Sequence, residues 1–277
     1  MAAADPTRED LNFTINHAKD VTIAVALREL ITNAADADNG KMPESKVLSE
    51  SGDSTLVTIT DKGRGLTRDA FVFGGGDQRN GRHGLGLKDA LAVLLRRGVI
   101  VTIASAGHDF SFDIEGPQER VFLIRTAARE GSWASGTKFT LVGVPDAEKN
   151  LNEAKAHFFD PSKFEAIAPT VAGVTAYYRG GAGSEVKGGV FVNRLRVGNF
   201  PTTWTYTIDD AEIEGKLSRD HTAAHYKATR RKMMKMIRSY LNACGHDVLE
   251  SLPSKAPERT WTFKTLKKLK KLSDEVA

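Results

Sequence analysis

The run from Val21 to Asp38 holds neither glycine nor proline, and its apolar residues fall at helical spacing: Val21, Ala24, Val25, Ala26, Leu27, Leu30, Ile31 and Ala34. That pattern predicts a helix. Glu29, Asn33 and Asp36 lie four and then three residues apart, so the helix projects a carboxylate, a carboxamide and a second carboxylate from one face. Alone, such a face reads as a solvated polar stripe. The segments that follow it open a second reading.

Asn39-Gly40 stops the helix, and residues 40–54 read as polar and turn-rich. Thr55 to Thr60 is β-branched, reads as a strand, and runs into Asp61-Lys62-Gly63-Arg64-Gly65-Leu66. A carboxylate at a strand end, beside backbone freed of side chains, can hydrogen-bond a flat heterocycle packed on the glycines; the alternative is an ordinary D-x-G turn. Residues 66–83 carry Gly74 to Gly76 and Gly81 beside Arg79, Arg82 and His83. They read as a mobile segment, either a surface loop or a lid that orders over a ligand. Gly84-Leu85-Gly86-Leu87-Lys88 then opens an apolar helix that Arg96-Arg97-Gly98 closes. A glycine-rich loop feeding a helix start offers unpaired N–H groups and a positive dipole end to an anion, and Lys88 would add a full charge. The segment lacks the G-K-[ST] ending of a P-loop, and its glycines do not fit the dinucleotide fingerprint.

Four strands are predicted next, Val99 to Ala104, Phe110 to Ile114, Val121 to Arg125 and Lys138 to Val142, with glycine turns that suit an antiparallel meander. Gly136-Thr137 opens the last. Residues 146–168 read as helix broken at Pro161, and strands are expected at Gly173 to Tyr178, Gly189 to Val197 and Phe200 to Ile208. Residues 223–242 form a helical pattern with Tyr226, Met233, Ile237 and Tyr240 on one stripe among basic residues, and Trp261 to Leu272 is a shorter basic amphipathic stretch.

The single cysteine, Cys244, excludes an internal disulfide and fits a reducing compartment. Neither a bilayer-spanning apolar run nor a signal pattern is present, so a cytoplasmic protein with no membrane partner is expected. Charge is unevenly spread: residues 1–215 hold 24 Lys/Arg and 29 Asp/Glu, whereas residues 216–271 hold 15 Lys/Arg and 4 Asp/Glu. An acidic body with a basic C-terminal part points to an anionic partner, nucleic acid among them.

E-x-x-x-N-A-x-D-A, then D-x-G-x-G, then G-x-G-L-K at a helix start, then G-T at a strand start, in that order, resembles the GHKL ATPase superfamily, which includes gyrase B subunits, MutL, the ninety-kilodalton heat-shock chaperones and MORC proteins. The resemblance covers about residues 10–180. It implies an α+β fold: a two-layer sandwich of helices on a mixed, mostly antiparallel sheet (the Bergerat fold), here with a basic helical C-terminal extension. Residues 1–215 would form the ATP-binding domain and its late strands, residues 216–277 the extension. It implies ATP and Mg²⁺ as ligands, with Glu29 as the base that activates water, Asn33 as the Mg²⁺ ligand and Asp36 supporting the same cluster. Asp61 would accept from the adenine amino group while Gly63 and Gly65 let the base approach. Gly84, Leu85, Gly86 and Lys88 would hold the phosphates, and Thr137 would hydrogen-bond near the adenine.

Full ATPases of this superfamily add a second domain that reaches the γ-phosphate, and the sequence displays no complete second domain. Only 28 residues precede Glu29, so His17 lacks the setting of a histidine-kinase phosphoacceptor. Three readings follow: an ATPase driving a conformational or dimerisation switch, a nucleotide-binding regulatory subunit completed by a companion protein, and a nucleic-acid-binding protein working through residues 216–271.

Overall fold

The computed structural model describes residues 6–38, 41–49, 55–71, 86–127, 133, 135–178, 188–192, 194–197, 202–214 and 227–244. The chain divides into two compact units, Met1–Ala156 and His157–Ala277.

The first unit runs β1 (Thr7–Thr14), α1 (Ile23–Ala37), β2 (Glu44–Ser49), β3 (Thr55–Asp61), α2 (Gly86–Arg96), β4 (Ile100–Ser105), β5 (His108–Glu115), β6 (Arg120–Ala127), β7 (Thr137–Val142) and α3 (Ala147–Lys155). Its strands form one seven-stranded sheet in the order β1-β6-β5-β4-β7-β3-β2. The expected mostly antiparallel sheet is present, and in this unit every pairing is antiparallel. β4, β5 and β6 make the predicted meander, and β7 returns between β4 and β3.

Alternation along the central strands explains the layering. β3, β7 and β4 each bury every second residue, and the register stacks those residues in rungs across the sheet. Val57, Leu141 and Val101 form one rung, and Ile59, Phe139 and Ile103 the next. α1 covers them with Leu27, Leu30 and Ile31, each fully buried and contributing roughly 1.5–3 kcal/mol by the usual scale for aliphatic burial. α1 also packs on α2, α3 and β3. α2 is buried at every position from Leu87 to Leu95, as its nearly continuous apolar sequence requires. Arg96 at its C-terminal turn donates to the carbonyls of Ile15 (2.7 Å) and His17 (2.9 Å), and His17 Nε2 stands 2.8 Å from Asp89 Oδ1. The β1–α1 turn is thereby pinned to α2.

Two segments depart from expectation. Residues 7–10, in a polar N-terminal stretch 1–10 whose sequence reads as a loose start, belong to β1, which pairs with β6. Residues 44–49, expected to be turn, form β2 against β3. Both are edge strands, where charged and polar residues suppress the alternation on which strand prediction depends.

The second unit runs β8 (Glu165–Ala166), β9 (Val174–Tyr178), β10 (Val190–Val192), β11 (Leu195–Arg196), β12 (Thr205–Ile208), α4 (Ala211–Glu214) and α5 (Lys227–Ala243). Its sheet has the order β11-β10-β12-β9-β8, and the β10–β12 pair is parallel. Val174, Ala176, Val190, Tyr206 and Ile208 share one core with Met233, Ile237, Tyr240 and Leu241 of α5. The chain thus has a second compact unit, which the sequence reading did not find. The division falls at 156/157 and not at 215/216, because the late strands and α5 bury one another. Tyr226 and the whole Trp261 to Leu272 stretch lie outside the described residues. No described helix is long and apolar enough to cross a membrane.

Candidate functional site

α1 begins at Thr22, whose Oγ1 accepts from the Val25 N–H at 3.3 Å, a side-chain N-cap. Its apolar stripe faces the core and leaves Glu29, Asn33 and Asp36 half-buried along one edge. At 1.5 Å per residue those three side chains extend over about 10 Å.

At one end of this line the Glu29 carboxylate accepts from Arg28, with 2.7 Å to Nη2 and 3.3 Å to Nε. Both partners are largely buried, with side-chain exposures of 7% for Arg28 and 15% for Glu29. The carboxylate lies against Gly86, the first residue of α2, where a Cβ would stand 2.6 Å from Glu29 Oε2. Any side chain at 86 would therefore displace Glu29, and with glycine there the carboxylate reaches the N-terminal turn of α2. Asn33 comes next along α1. Its Nδ2 is buried and has no hydrogen-bond partner, which makes it a polar group awaiting one.

At the other end the apolar rungs of the sheet give way to a polar one, Asp61, Thr137 and Ser105. Asp61 is 3% exposed. Its Oδ1 accepts from the Gly63 N–H at 2.8 Å, and the N–H and hydroxyl of Thr137 also bond the carboxylate. Burial nevertheless raises its pKa above the ordinary aspartate range; those hydrogen bonds oppose the shift and the nearby charge of Asp38 adds to it. Ser105 Oγ lies 3.0 Å from Thr137 Oγ1, donates to the Gly136 carbonyl at 2.9 Å and accepts from the Leu66 N–H at 2.7 Å.

Both glycines after Asp61 are sterically required. A Cβ on Gly63 would stand 2.7 Å from Ala37 Cβ and closer still to the Ala37 carbonyl. Gly65 has φ +83°, and a Cβ there would come within 2.8 Å of Ser105 Oγ. A side chain at either position would meet the end of α1 or Ser105. Gly63→Ala is accordingly expected to cost about 1–3 kcal/mol as an overpacked contact against backbone, measurable by urea denaturation of the first unit's transition.

Lys88 lies two residues into α2. It is fully buried, and burial pulls its pKa down. Gly84 and Leu85 lie outside the described residues, as does the expected lid from residue 72 onward. The described part before it ends at Phe71, buried 5.1 Å from the Phe110 ring and 5.9 Å from that of Phe112.

The site therefore unites Glu29 with Gly86, and Asp61 with Gly63 and Thr137, along the edge of α1 that also carries Asn33 and Asp36. Two of its residues escaped the sequence reading. Arg28 adjoins Glu29 in sequence, but neighbours on a helix normally diverge and give no sign of pairing. Ser105 is revealed only by the register that places it opposite Thr137. Among the described residues, no cluster of three or more His, Cys, Asp or Glu side chains could hold a metal.

No protein-family model matches the chain. A Mycoplasma pneumoniae protein described as uncharacterized is 27% identical over 251 residues, covering 80% of this chain and 94% of its own. Among solved structures, the chain is similar to the 43K ATPase domain of Thermus thermophilus gyrase B in complex with an aminocoumarin, at 14% identity and a TM-score of 0.35, with 87% of this chain and 91% of that one covered. It is also similar to the topoisomerase IV ATP-binding domain of Francisella tularensis in complex with a small-molecule inhibitor, at 13% identity and a TM-score of 0.37, with 90% and 95% covered.

Proposed function

We propose that the first unit binds ATP with Mg²⁺ along α1 and hydrolyses it. The observation that carries this reading is the line of Glu29, Asn33 and Asp36 running between the buried Asp61 carboxylate and the N-terminal turn of α2. Asp61 is a fixed acceptor, suited to the exocyclic amino group of adenine, and Thr137 holds it in place. The α2 turn offers N–H groups to phosphate oxygens. Asn33, between the two ends, would hold Mg²⁺ through its carboxamide oxygen. When bound, the ion neutralises phosphate charge.

Glu29 is the proton acceptor in this reading. Arg28 occupies its Oε1 and leaves Oε2 at the start of α2, where a water could be held. The water oxygen attacks the γ-phosphorus, the bond from that phosphorus to the β–γ bridging oxygen breaks, ADP departs and the water proton passes to Glu29. Turnover of this kind would drive a conformational or dimerisation switch, which light scattering with and without a non-hydrolysable ATP analogue tests. One observation favours the alternative of a regulatory subunit with little turnover: Glu29 is already engaged in a largely buried ion pair.

Asn33→Ala separates binding from scaffolding. It removes an unpartnered side chain, so the fold should lose little, yet the Mg²⁺-dependent part of ATP affinity should vanish. Titration calorimetry with ATP, with and without Mg²⁺, reads this directly. An Asn33→Ala protein with undiminished Mg²⁺ enhancement would remove Asn33 from the site.

A further inference from the structure

The nucleotide reading leaves α5 unexplained. This helix holds six cations and no carboxylate. Its apolar stripe needs no further partner, because Met233, Ile237, Tyr240 and Leu241 are buried in the core of their own unit. Lys232 is neutralised locally, 3.0 Å from Asp210 Oδ2 and 2.6 Å from Glu212 Oε2. Lys227, Arg231, Lys235 and Arg238 differ from it. All four are exposed, and none joins an ion pair with a described residue.

Spacings of four, four and three residues put these four side chains on one line along the helix, extending about 16 Å. Neighbouring like charges at such spacing oppose the helix that carries them, so the row is an arrangement that an anionic partner would relieve. We propose that it docks the phosphodiester backbone of a nucleic acid, without sequence preference. Three features select that occupant. A phosphodiester chain carries regularly repeated charges by its covalent structure, whereas an acidic protein would need carboxylates placed to match. Lys and Arg side chains contacting phosphates set position and not sequence. The sequence beyond the described residues holds a second basic cluster, Lys264, Lys267, Lys268, Lys270 and Lys271. This inference is independent of the nucleotide site.

The test is fluorescence anisotropy of the full chain with labelled mixed-sequence 30-mers, single- and double-stranded, from low to moderate KCl. Wild type should bind both, with affinity falling steeply with salt. K227Q/R231Q/K235Q/R238Q should weaken binding at low salt by at least tenfold and flatten the log K against log salt slope by about 3.6 for duplex or about 2.8 for single strands, the value for four lost phosphate contacts. R231Q/R238Q should flatten it by half as much, and the charge-conserving K227R/K235R should leave it unchanged. All the exchanges lie on the exposed face, so an unaltered thermal transition establishes folding. Absence of binding at low salt overturns the proposal, as does an unchanged slope in the fourfold variant. So does poly-glutamate that displaces DNA at equal charge through the same four residues, which would assign the face to an acidic protein.

Discussion

Exchange of Glu29 for glutamine is expected to preserve ATP binding and to slow hydrolysis by about two to four orders of magnitude, the usual worth of a positioned proton acceptor. The structure selects glutamine over alanine. Arg28 is buried and its partner is Glu29, so truncation would strand a guanidinium charge in the interior. Breaking a buried pair in this way costs about 3 kcal/mol or more, which for a unit of this size lowers the melting temperature by roughly 6–12 °C. Glu29→Gln removes the basic site and the countercharge but keeps an oxygen to accept from Arg28, so it costs less stability than truncation. Single-turnover measurements at saturating ATP read the chemical step; equal rates in wild type and Glu29→Gln would leave only the non-hydrolytic reading.

The second large effect is expected at Asp61, where affinity and stability should move in opposite directions. Asp61→Asn replaces an acceptor by a group that can turn a donor toward the adenine amino group. Loss of a charge-assisted hydrogen bond of about 1.5–3 kcal/mol weakens Kd by roughly 10- to 150-fold. The free protein should become more stable at neutral pH, because the variant no longer holds a carboxylate where burial disfavours its ionised form. The sign follows from the raised native pKa. Wild type gains stability from this group as pH falls through that pKa, and has gained all of it below the ordinary aspartate value. The melting-temperature advantage of Asp61→Asn should therefore be largest at neutral pH and above, and should shrink toward zero on acidification. An unchanged ATP affinity would remove Asp61 from the pocket. A variant less stable than wild type at neutral pH would mean that Thr137 and Gly63 bind the carboxylate more strongly than burial opposes it.

Much of the first unit was legible in the chain. The helix at 23–37 follows from an uninterrupted apolar period, and the strand ending at Asp61 from β-branched residues halted by glycine. The helix from Gly86 follows from an apolar run bounded by glycines and a basic pair. In each case the signal lies within one element, where a side chain's direction is set by the local period of the backbone. The residues proposed to carry chemistry stand out for the same reason: Glu29 and Asn33 share one helical face, and Asp61 lies at a strand end.

Pairing between elements was another matter. That a Cβ at Gly63 would meet Ala37 is seen only with α1 in place. The burial of Lys88 has no sign in the sequence and follows from α2 being buried from Leu87 to Leu95. Ser105 has no signal of its own and acquires one from the rung it shares with Thr137 and Asp61. The strands of the second unit were expected at 173–178, 189–197 and 200–208, but their union into one unit escaped because its core closes only when α5 covers the sheet. Sequence by itself determined the helices and inner strands of the first unit and which of their faces are apolar, because those depend on neighbours two to four residues away. Tertiary structure alone decided which polar groups are buried, which glycines give way to backbone and where one unit ends, because each of these depends on atoms brought together from distant parts of the chain.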